Sequence, residues 1–251
     1  ADAERLDAAR AAGEPLGPLH GIPIAVKDLF FTRGVATASG TRVMADFVPD
    51  EDATAVARLR AAGAVIIGKT KLWEGAFGVH HPDVEAPRNP WSERLWTGGS
   101  STGSGVAVAA GLAYGALGSD TGGSIRFPCA TCGLVGVKPT YGRVSRFGAF
   151  PLAESLDHVG PITRSVEDAA RLLQVVAGRD PRDLTSLSDP VPNYGAFGSR
   201  YLPHLTIGVD WDYAGRGVEE GVVGTVREAL ALFPTLGARV REVSLPASAR
   251  A

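Results

Sequence analysis

Residues 97–105 read Thr-Gly-Gly-Ser-Ser-Thr-Gly-Ser-Gly, and residues 118–126 read Gly-Ser-Asp-Thr-Gly-Gly-Ser-Ile-Arg. Small apolar residues between these two loops predict a helix over 104–113 and a strand over 114–117. Glycine lets backbone N–H groups approach a ligand closely, and successive N–H groups that point into one space bind an anion. A serine hydroxyl beside them could attack a carbonyl, because the N–H groups would stabilise the developing oxyanion. The two loops therefore indicate acyl transfer.

Regular elements are predicted on both sides of these loops. Apolar runs predict strands at 21–28, 64–67, 114–117, 133–137, 205–209 and 238–245. Helical spacing predicts helices over the first dozen residues, 52–62, 104–113, 165–176 and 219–233, with Asp52 and Ser165 as N-caps. Residues 80–99 are expected to form a long loop and residues 178–204 a connector. The alternation favours an α/β fold with a central mixed, mainly parallel β-sheet flanked by helices.

Composition restricts the class of protein. The chain has 251 residues, 45% of them hydrophobic and 21% charged, which favours one large domain or two small ones with a sizeable core. A formal net charge of −2 argues against nucleic acid or an anionic membrane surface as a partner. No apolar run approaches the length of a membrane span. Two cysteines are too few for a disulfide framework, so a reducing, cytoplasmic location is expected.

A serine nucleophile needs a base, and no histidine lies near either Gly/Ser loop in the sequence. Lys27 is the alternative, because it follows the apolar run 22–26 and could be drawn into a poorly solvated place. Desolvation lowers the pKa of a lysine, by up to about 3–5 units at full burial. A neutral lysine could then accept a proton, either directly or through an intervening hydroxyl.

Several strings together resemble the amidase signature family of hydrolases. Both Gly/Ser loops match it, and so do Val26-Lys27-Asp28 and the strings at 68–70, 89–91, 137–146 and 155–161. The matches follow the family's order and cover roughly residues 17–178. The resemblance implies that residues 1–251 form an amidase-signature catalytic domain that is incomplete at both ends, because members of the family run further in both directions.

The resemblance also implies a catalytic set. Ser124 matches the nucleophile, Ser100 matches the bridging serine, thought to sit on a cis peptide in this family, and Lys27 matches the base. The oxyanion hole corresponds to the backbone N–H groups from 121 to 124, which include those of Thr121, Gly122 and Gly123. The acyl pocket is expected at Glu74, Gly75 and Ala76, where the two small residues leave room for a bulky acyl or aryl group. The mechanism requires no metal and no organic cofactor.

The implied activity is hydrolysis of carboxylic amide C–N bonds through an acyl-enzyme on Ser124, with anilides and carbamates (urethanes) as related substrates. The expected partner is a small amide-type molecule, without nucleic acid or membrane, and a homodimer is left open. The alternative is a glutamyl-tRNA amidotransferase A-type subunit, which releases ammonia from glutamine. Residues 73–77 and 80–83 differ from such subunits, and His158 follows Leu-Asp where those subunits tend to carry a glutamine. The sequence also gives no sign of docking partners, so a free-standing amidase is favoured. A non-catalytic module is disfavoured, because it would not need all three catalytic residues.

Four other motifs have competing interpretations. Residues 63–70 match the P-loop pattern, but β-branched residues between the glycines favour a strand and a structural role for Lys69. Residues 99–103 match a nucleophile elbow centred on Ser101, without the buried strand that should precede it. Cys129 and Cys132 are expected to be buried thiols rather than a redox or zinc pair. The string His80-His-Pro-Asp83 is expected to be a polar loop rather than part of a metal site.

Two charged residues of the second loop are expected to support it rather than to react. Asp120 stands beside a Gly-rich turn, where a carboxylate typically accepts backbone N–H bonds. Arg126 is expected to anchor the same loop electrostatically.

Overall fold

The computed structural model describes residues 2–196 and 201–246. The chain divides into two compact units, Ala1–Gly195 and Ala196–Ala251. The range 17–178 that resembles the amidase signature lies entirely within the first unit. In the described residues, every helix is too short or too polar to cross a membrane.

A five-stranded sheet forms the centre of the first unit. Its strands are β1 (Pro23–Lys27), β2 (Val65–Thr70), β3 (Gly115–Asp120), β4 (Val135–Gly136) and β5 (His158–Thr163), in the order β2-β1-β3-β5-β4. β1 runs parallel to β2 and β3, whereas β5 is antiparallel to both β3 and β4. Four of the five strands therefore point the same way, which confirms the predicted mixed, mainly parallel α/β sheet.

Five helices accompany this sheet in the described part of the first unit: α1 (Asp2–Ala11), α2 (Thr54–Ala61), α3 (Thr102–Ala109), α4 (Arg126–Cys132) and α5 (Val166–Val176). Apolar side chains of α2 and α5, such as Leu59 and Leu172, share one core with β1 and β3. Residues Glu74–Ala76 form a single 3-10 turn. Lys27 and Asp120 stand at the ends of the adjacent strands β1 and β3, and both are buried.

The two predicted N-caps have different outcomes. The hydroxyl of Ser165 accepts a hydrogen bond from the backbone N–H of Asp168 at 3.1 Å, which confirms the cap of α5. Asp52 does not cap α2, which begins after Ala53 without a side-chain cap. The Asp52 carboxylate instead accepts the N–H of Arg33 at 2.8 Å and forms an ion pair with Arg60 at 3.2 Å. That prediction was wrong, because tertiary partners use the carboxylate.

The second unit contains β6 (Thr206–Val209), α6 (Trp211–Ala214), α7 (Glu220–Leu232) and β7 (Arg239–Glu242). β6 and β7 pair in parallel. A short 3-10 turn, Phe233–Leu236, follows α7. The predicted strands and helix at 205–209, 219–233 and 238–245 are present, although β7 is shorter than predicted and α6 was not predicted.

Two elements near the Gly/Ser loops have bounds that differ from those predicted. The helix predicted over 104–113 begins at Thr102 and ends at Ala109. The strand predicted over 114–117 continues through Ser119 to Asp120 and is buried along its whole length. Strand β5 and helix α4 were not predicted at all.

Candidate active site

Lys27 is the last residue of β1 and is completely buried. Its Nζ atom donates a hydrogen bond to Ser100 Oγ at 2.7 Å and another to Ser119 Oγ at 2.9 Å. Both serines are buried. The structure therefore brings the predicted base and the predicted bridging serine into direct contact, although they are 73 residues apart in sequence.

Burial changes the protonation of this lysine. It lowers the pKa of Lys27 from 10.5 to about 7, although the carboxylates of Asp120 and Asp157 act in the opposite direction. A large fraction of Lys27 is then neutral near neutral pH. A neutral amine keeps two N–H groups and gains a lone pair, so it can donate to one serine and accept a proton from the other.

The loop that carries Ser100 is fixed by close packing. The peptide bond between Gly99 and Ser100 is cis, as the family resemblance implies. The ring of Trp73 lies directly against Gly99, where an added Cβ atom would stand 2.0 Å from the indole. Only glycine fits at this position.

Ser124 lies in the second Gly/Ser loop, immediately before α4, and is half-buried. The backbone N–H of Ser101 donates to the carbonyl of Ser124 at 3.2 Å, which ties the two loops together. The loop places Ser124 on the wall of an open cleft, with Thr121 and Gly122 beside it. The predicted nucleophile is therefore accessible, while the two residues assigned to proton transfer are buried.

Asp120 holds the second loop in place, as predicted. Its carboxylate accepts the backbone N–H groups of Gly123 at 2.8 Å, Ile125 at 3.1 Å and Arg126 at 3.2 Å. The Arg126 guanidinium adds two bonds, at 3.0 and 2.8 Å. Burial raises the pKa of Asp120, but these donors outweigh it, and the pKa lies below its ordinary value. Asp120 is therefore an ionised anchor rather than a base.

The Asp120 contacts also revise the expected oxyanion hole. The Gly123 N–H is already directed at Asp120, so it is removed from the set that could bind an oxyanion. The N–H groups of Thr121, Gly122 and Ser124 stay in that set. In the sequence, nothing distinguishes the N–H of Gly123 from that of its neighbour, since both residues are glycine.

Ser119 is a site residue that the sequence reasoning missed. Its hydroxyl accepts the second hydrogen bond from Lys27, and its carbonyl accepts one from Ser101 Oγ at 3.2 Å. Ser119 reaches this position because β1 and β3 are adjacent parallel strands, so their carboxyl ends meet. One sequence signal pointed to Ser119. It follows the apolar run 114–117 closely, just as Lys27 follows the apolar run 22–26.

Two cavities flank the candidate catalytic residues. The first, here called the apolar cleft, has a volume of about 400 Å³ and is bordered by Ser124. The second, the polar cavity, has a volume of about 250 Å³ and is bordered by Ser119. Ala76 and Leu152 border both cavities. Of the three residues expected at the acyl pocket, Ala76 lies on the cleft wall, Glu74 is exposed and Gly75 is half-buried.

The P-loop and elbow motifs form other structures. Residues Val65–Thr70 form strand β2, and Lys69 Nζ donates to the carbonyl of Phe30 at 2.7 Å and to Thr37 Oγ1 at 2.8 Å. Lys69 is therefore structural, as expected. Ser101 is completely buried, and its hydroxyl is bonded to a backbone carbonyl rather than facing a cleft.

The candidate metal and redox residues also have ordinary surroundings. Cys129 and Cys132 are free and buried, and burial raises the pKa of Cys129 to about 12, which keeps the thiol protonated. His80 Nε2 bonds to Thr102 Oγ1 at 3.1 Å, and His81 Nδ1 accepts the N–H of Asp83 at 3.1 Å. Across residues 2–196 and 201–246, no cluster of three or more His, Cys, Asp or Glu side chains is suited to a metal ion.

Known proteins with similar sequences are named as amidases or amidotransferase subunits. The chain is 51% identical over 247 residues to the A subunit of glutamyl-tRNA(Gln) amidotransferase from Moorella thermoacetica, covering 98% of this chain and 51% of that protein. It is 56% identical over 212 residues to "Putative amidase AmiD" of Mycobacterium tuberculosis, covering 84% of this chain and 44% of that protein. The solved structure of native peptide amidase from Stenotrophomonas maltophilia matches with a TM-score of 0.84 at 39% identity, covering 98% of this chain and 52% of that one.

The extent of these matches decides the family. A protein-family profile described as Amidase matches residues 1–251. The chain spans about half the length of the curated relatives it matches. Sequence, fold and the order of the signature strings agree across the matched region, and the chain belongs to the amidase signature family.

Proposed function

We propose that this protein hydrolyses carboxylic amide C–N bonds through an acyl-enzyme on Ser124. The observation that carries the proposal is the contact of the buried Lys27 Nζ with Ser100 Oγ at 2.7 Å. A buried lysine with a pKa of about 7 is a costly group, and it has the proton affinity that a general base requires at neutral pH. Ser124 in the adjoining loop borders a cleft that a substrate can enter.

Acylation follows from the order of these groups. Neutral Lys27 accepts the proton of Ser100, and Ser100 accepts the proton of Ser124 as its Oγ attacks the amide carbonyl. The N–H groups near Thr121 and Gly122 stabilise the oxyanion. The proton then returns from Lys27 through Ser100 to the leaving nitrogen. The C–N bond breaks, and the amine departs as a neutral molecule.

Deacylation uses the same route with water as the nucleophile. Water attacks the ester carbonyl, and its proton passes to Lys27 through Ser100. When the C–O bond to the enzyme breaks, Ser124 recovers a proton and the carboxylic acid is released. Lys27 ends the cycle neutral, so no net proton is stored. Anilides and carbamates fit the same scheme, because they differ only in the substituents on the carbonyl.

A second candidate is an amidotransferase A-type subunit that releases ammonia from glutamine. The relative from Moorella thermoacetica is named as a subunit of this kind, with 51% identity over nearly the whole of this chain. The chemistry at Ser124 would be the same, since glutamine carries a primary amide. The two candidates differ in substrate, so ammonia release from glutamine and from simple amides distinguishes them.

The nucleophile is tested by intact-protein mass spectrometry of the full chain after treatment with a fluorophosphonate. A single adduct that disappears in Ser124→Ala but persists in Ser101→Ala supports the proposal. An adduct that persists in Ser124→Ala and is lost in Ser101→Ala would overturn the assignment in favour of the elbow. Ser124→Ala removes only a hydroxyl, so its circular dichroism spectrum should match that of the wild type.

A further inference from the structure

The side chains around the apolar cleft show which acyl group it fits. We infer that the cleft binds an aryl or alkyl acyl chain, so that the substrate is the amide of an apolar carboxylic acid rather than of an amino acid. The inference rests on the proposed function, because the acyl group must lie beside the nucleophile. It adds the substrate class, which the catalytic residues alone do not determine.

The wall of the cleft is made of large apolar side chains. It consists of Trp73, Ala76, Phe77, Phe127, Leu152 and Leu156, together with the loop residues around Ser124. Phe77 is 74% exposed and Leu156 is 54% exposed, so both present apolar surface to the cleft and to solvent. An exposed apolar patch of this kind marks a binding site, because covering it with an apolar ligand is favourable.

This wall is fixed to the catalytic loops. The ring of Trp73 lies against Gly99, next to Ser100, and the ring of Phe127 lies against Gly123, next to Ser124. Trp96 joins the two rings, with centroids 6.2 Å from Trp73 and 5.8 Å from Phe127. The aromatic surface is therefore held at a set distance from the nucleophile.

A second part of the cleft wall, which contains Leu152 and Leu156, is fixed as well. The Asp157 carboxylate accepts the N–H of Leu152 at 2.9 Å and also binds the hydroxyl of Thr121 in the nucleophile loop. The segment that contributes Leu152 and Leu156 is thus tied to the loop that carries Ser124. An acyl chain attached to Ser124 and lying in the cleft would contact these apolar side chains.

The apolar cleft and the polar cavity differ in the charge of the side chains that line them. None of the side chains that line the apolar cleft within the described ranges is charged. The polar cavity, across Ala76 and Leu152, is bordered by Arg146, Asp157 and Asp183. The α-ammonium and α-carboxylate of glutamine would lose their hydration in the apolar cleft without gaining partners there, which is unfavourable. An alkyl or phenyl group has no charged group whose hydration would be lost in the cleft.

The experiment compares kcat/KM of the full chain for acetamide, butanamide, hexanamide, phenylacetamide and L-glutamine, with ammonia release as the readout. We expect a rise of about fourfold per added methylene, the factor that corresponds to burial of one CH2 group. Hexanamide should then exceed acetamide by about two orders of magnitude, and glutamine should lie below hexanamide. Flat values along the series, or a preference for glutamine, would overturn the inference.

Variants test whether the cleft is responsible. Leu156→Ser should reduce the rise along the series, because it removes apolar surface from the cleft wall. Val43→Ser is the matched control, because Val43 is 96% exposed and does not line the cleft. A rise that survives in Leu156→Ser and in Phe77→Ser would place the acyl group elsewhere. If fluorophosphonate labels Ser124 but the series is flat, the inference fails while the proposed function stands; without labelling or hydrolysis, both fail.

Discussion

Replacement of Lys27 by methionine removes a buried amine and keeps a side chain of similar length. In the folded protein the pKa of Lys27 is about 7, below its ordinary value of 10.5. Between these two values the unfolded chain binds a proton that the folded protein does not. The wild type therefore becomes more stable as pH rises through this window, and it carries the full desolvation penalty below pH 7. A methionine side chain does not titrate, so the variant lacks this dependence.

The magnitude follows from the pKa of Lys27. At ~1.36 kcal/mol per pKa unit, the shift from 10.5 to about 7 destabilises the folded protein by about 5 kcal/mol at pH 6 and by about 2 kcal/mol at pH 9. The difference in free energy of unfolding between wild type and Lys27→Met should thus change by about 3 kcal/mol in favour of the wild type. Lost hydrogen bonds to Ser100 and Ser119 shift this difference by a constant.

Urea unfolding followed by tryptophan fluorescence at pH 6, 7, 8 and 9 measures the difference. Other titrating groups cancel, since both proteins contain them. Lys71→Met is the matched control, because it replaces an exposed lysine by methionine in the same way. If the Lys27→Met difference did not change with pH, or if it moved in favour of the variant as pH rises, the desolvation of Lys27 would be refuted.

Three further outcomes are expected. The value of kcat/KM for an amide should rise with pH through a midpoint near 7, because only neutral Lys27 is a base; a midpoint near 10 would contradict this. Ser119→Ala removes an acceptor of the Lys27 ammonium, so this midpoint should move to lower pH while kcat/KM above it falls about tenfold; an unmoved midpoint would leave Ser119 a packing role. Gly99→Ala places a Cβ atom 2.0 Å from the Trp73 ring and should cost about 2–3 kcal/mol in thermal unfolding, whereas Gly122→Ala, with open space around it, should cost far less.

Candidate catalytic residues could be proposed from the sequence because the family's signature consists of local strings. Lys27 ends an apolar run, and Ser100 and Ser124 lie in Gly-rich loops. Each of these residues can therefore be recognised from its neighbours along the chain. The apolar periodicity also predicted β1, β2, α2 and α5. These elements use ordinary hydrophobic burial, which sequence patterns report directly.

The parts that were missed depend on tertiary contacts. The strand prediction stopped at Leu117 because glycine and polar residues normally end a buried strand, yet Ser119 and Asp120 continue it, since Lys27 and Arg126 satisfy their side chains. β5 contains Gly160 and Pro161, which argue against a strand. An added Cβ at Gly160 would stand 2.1 Å from the carbonyl of Val137, so the glycine permits the close approach of two segments. Strand order cannot be read from either segment alone.

The pairing of Asp120 with Arg126 has a consequence for the base. Asp120 is completely buried, and its negative charge favours the protonated form of Lys27. The Arg126 guanidinium and three backbone N–H groups lie against the same carboxylate and partly neutralise its field. The ion pair therefore weakens the effect of the Asp120 carboxylate on Lys27, whose amine must be uncharged to act as a base. Loss of the Arg126 charge would strengthen the field of Asp120 at Lys27 and so favour the protonated amine.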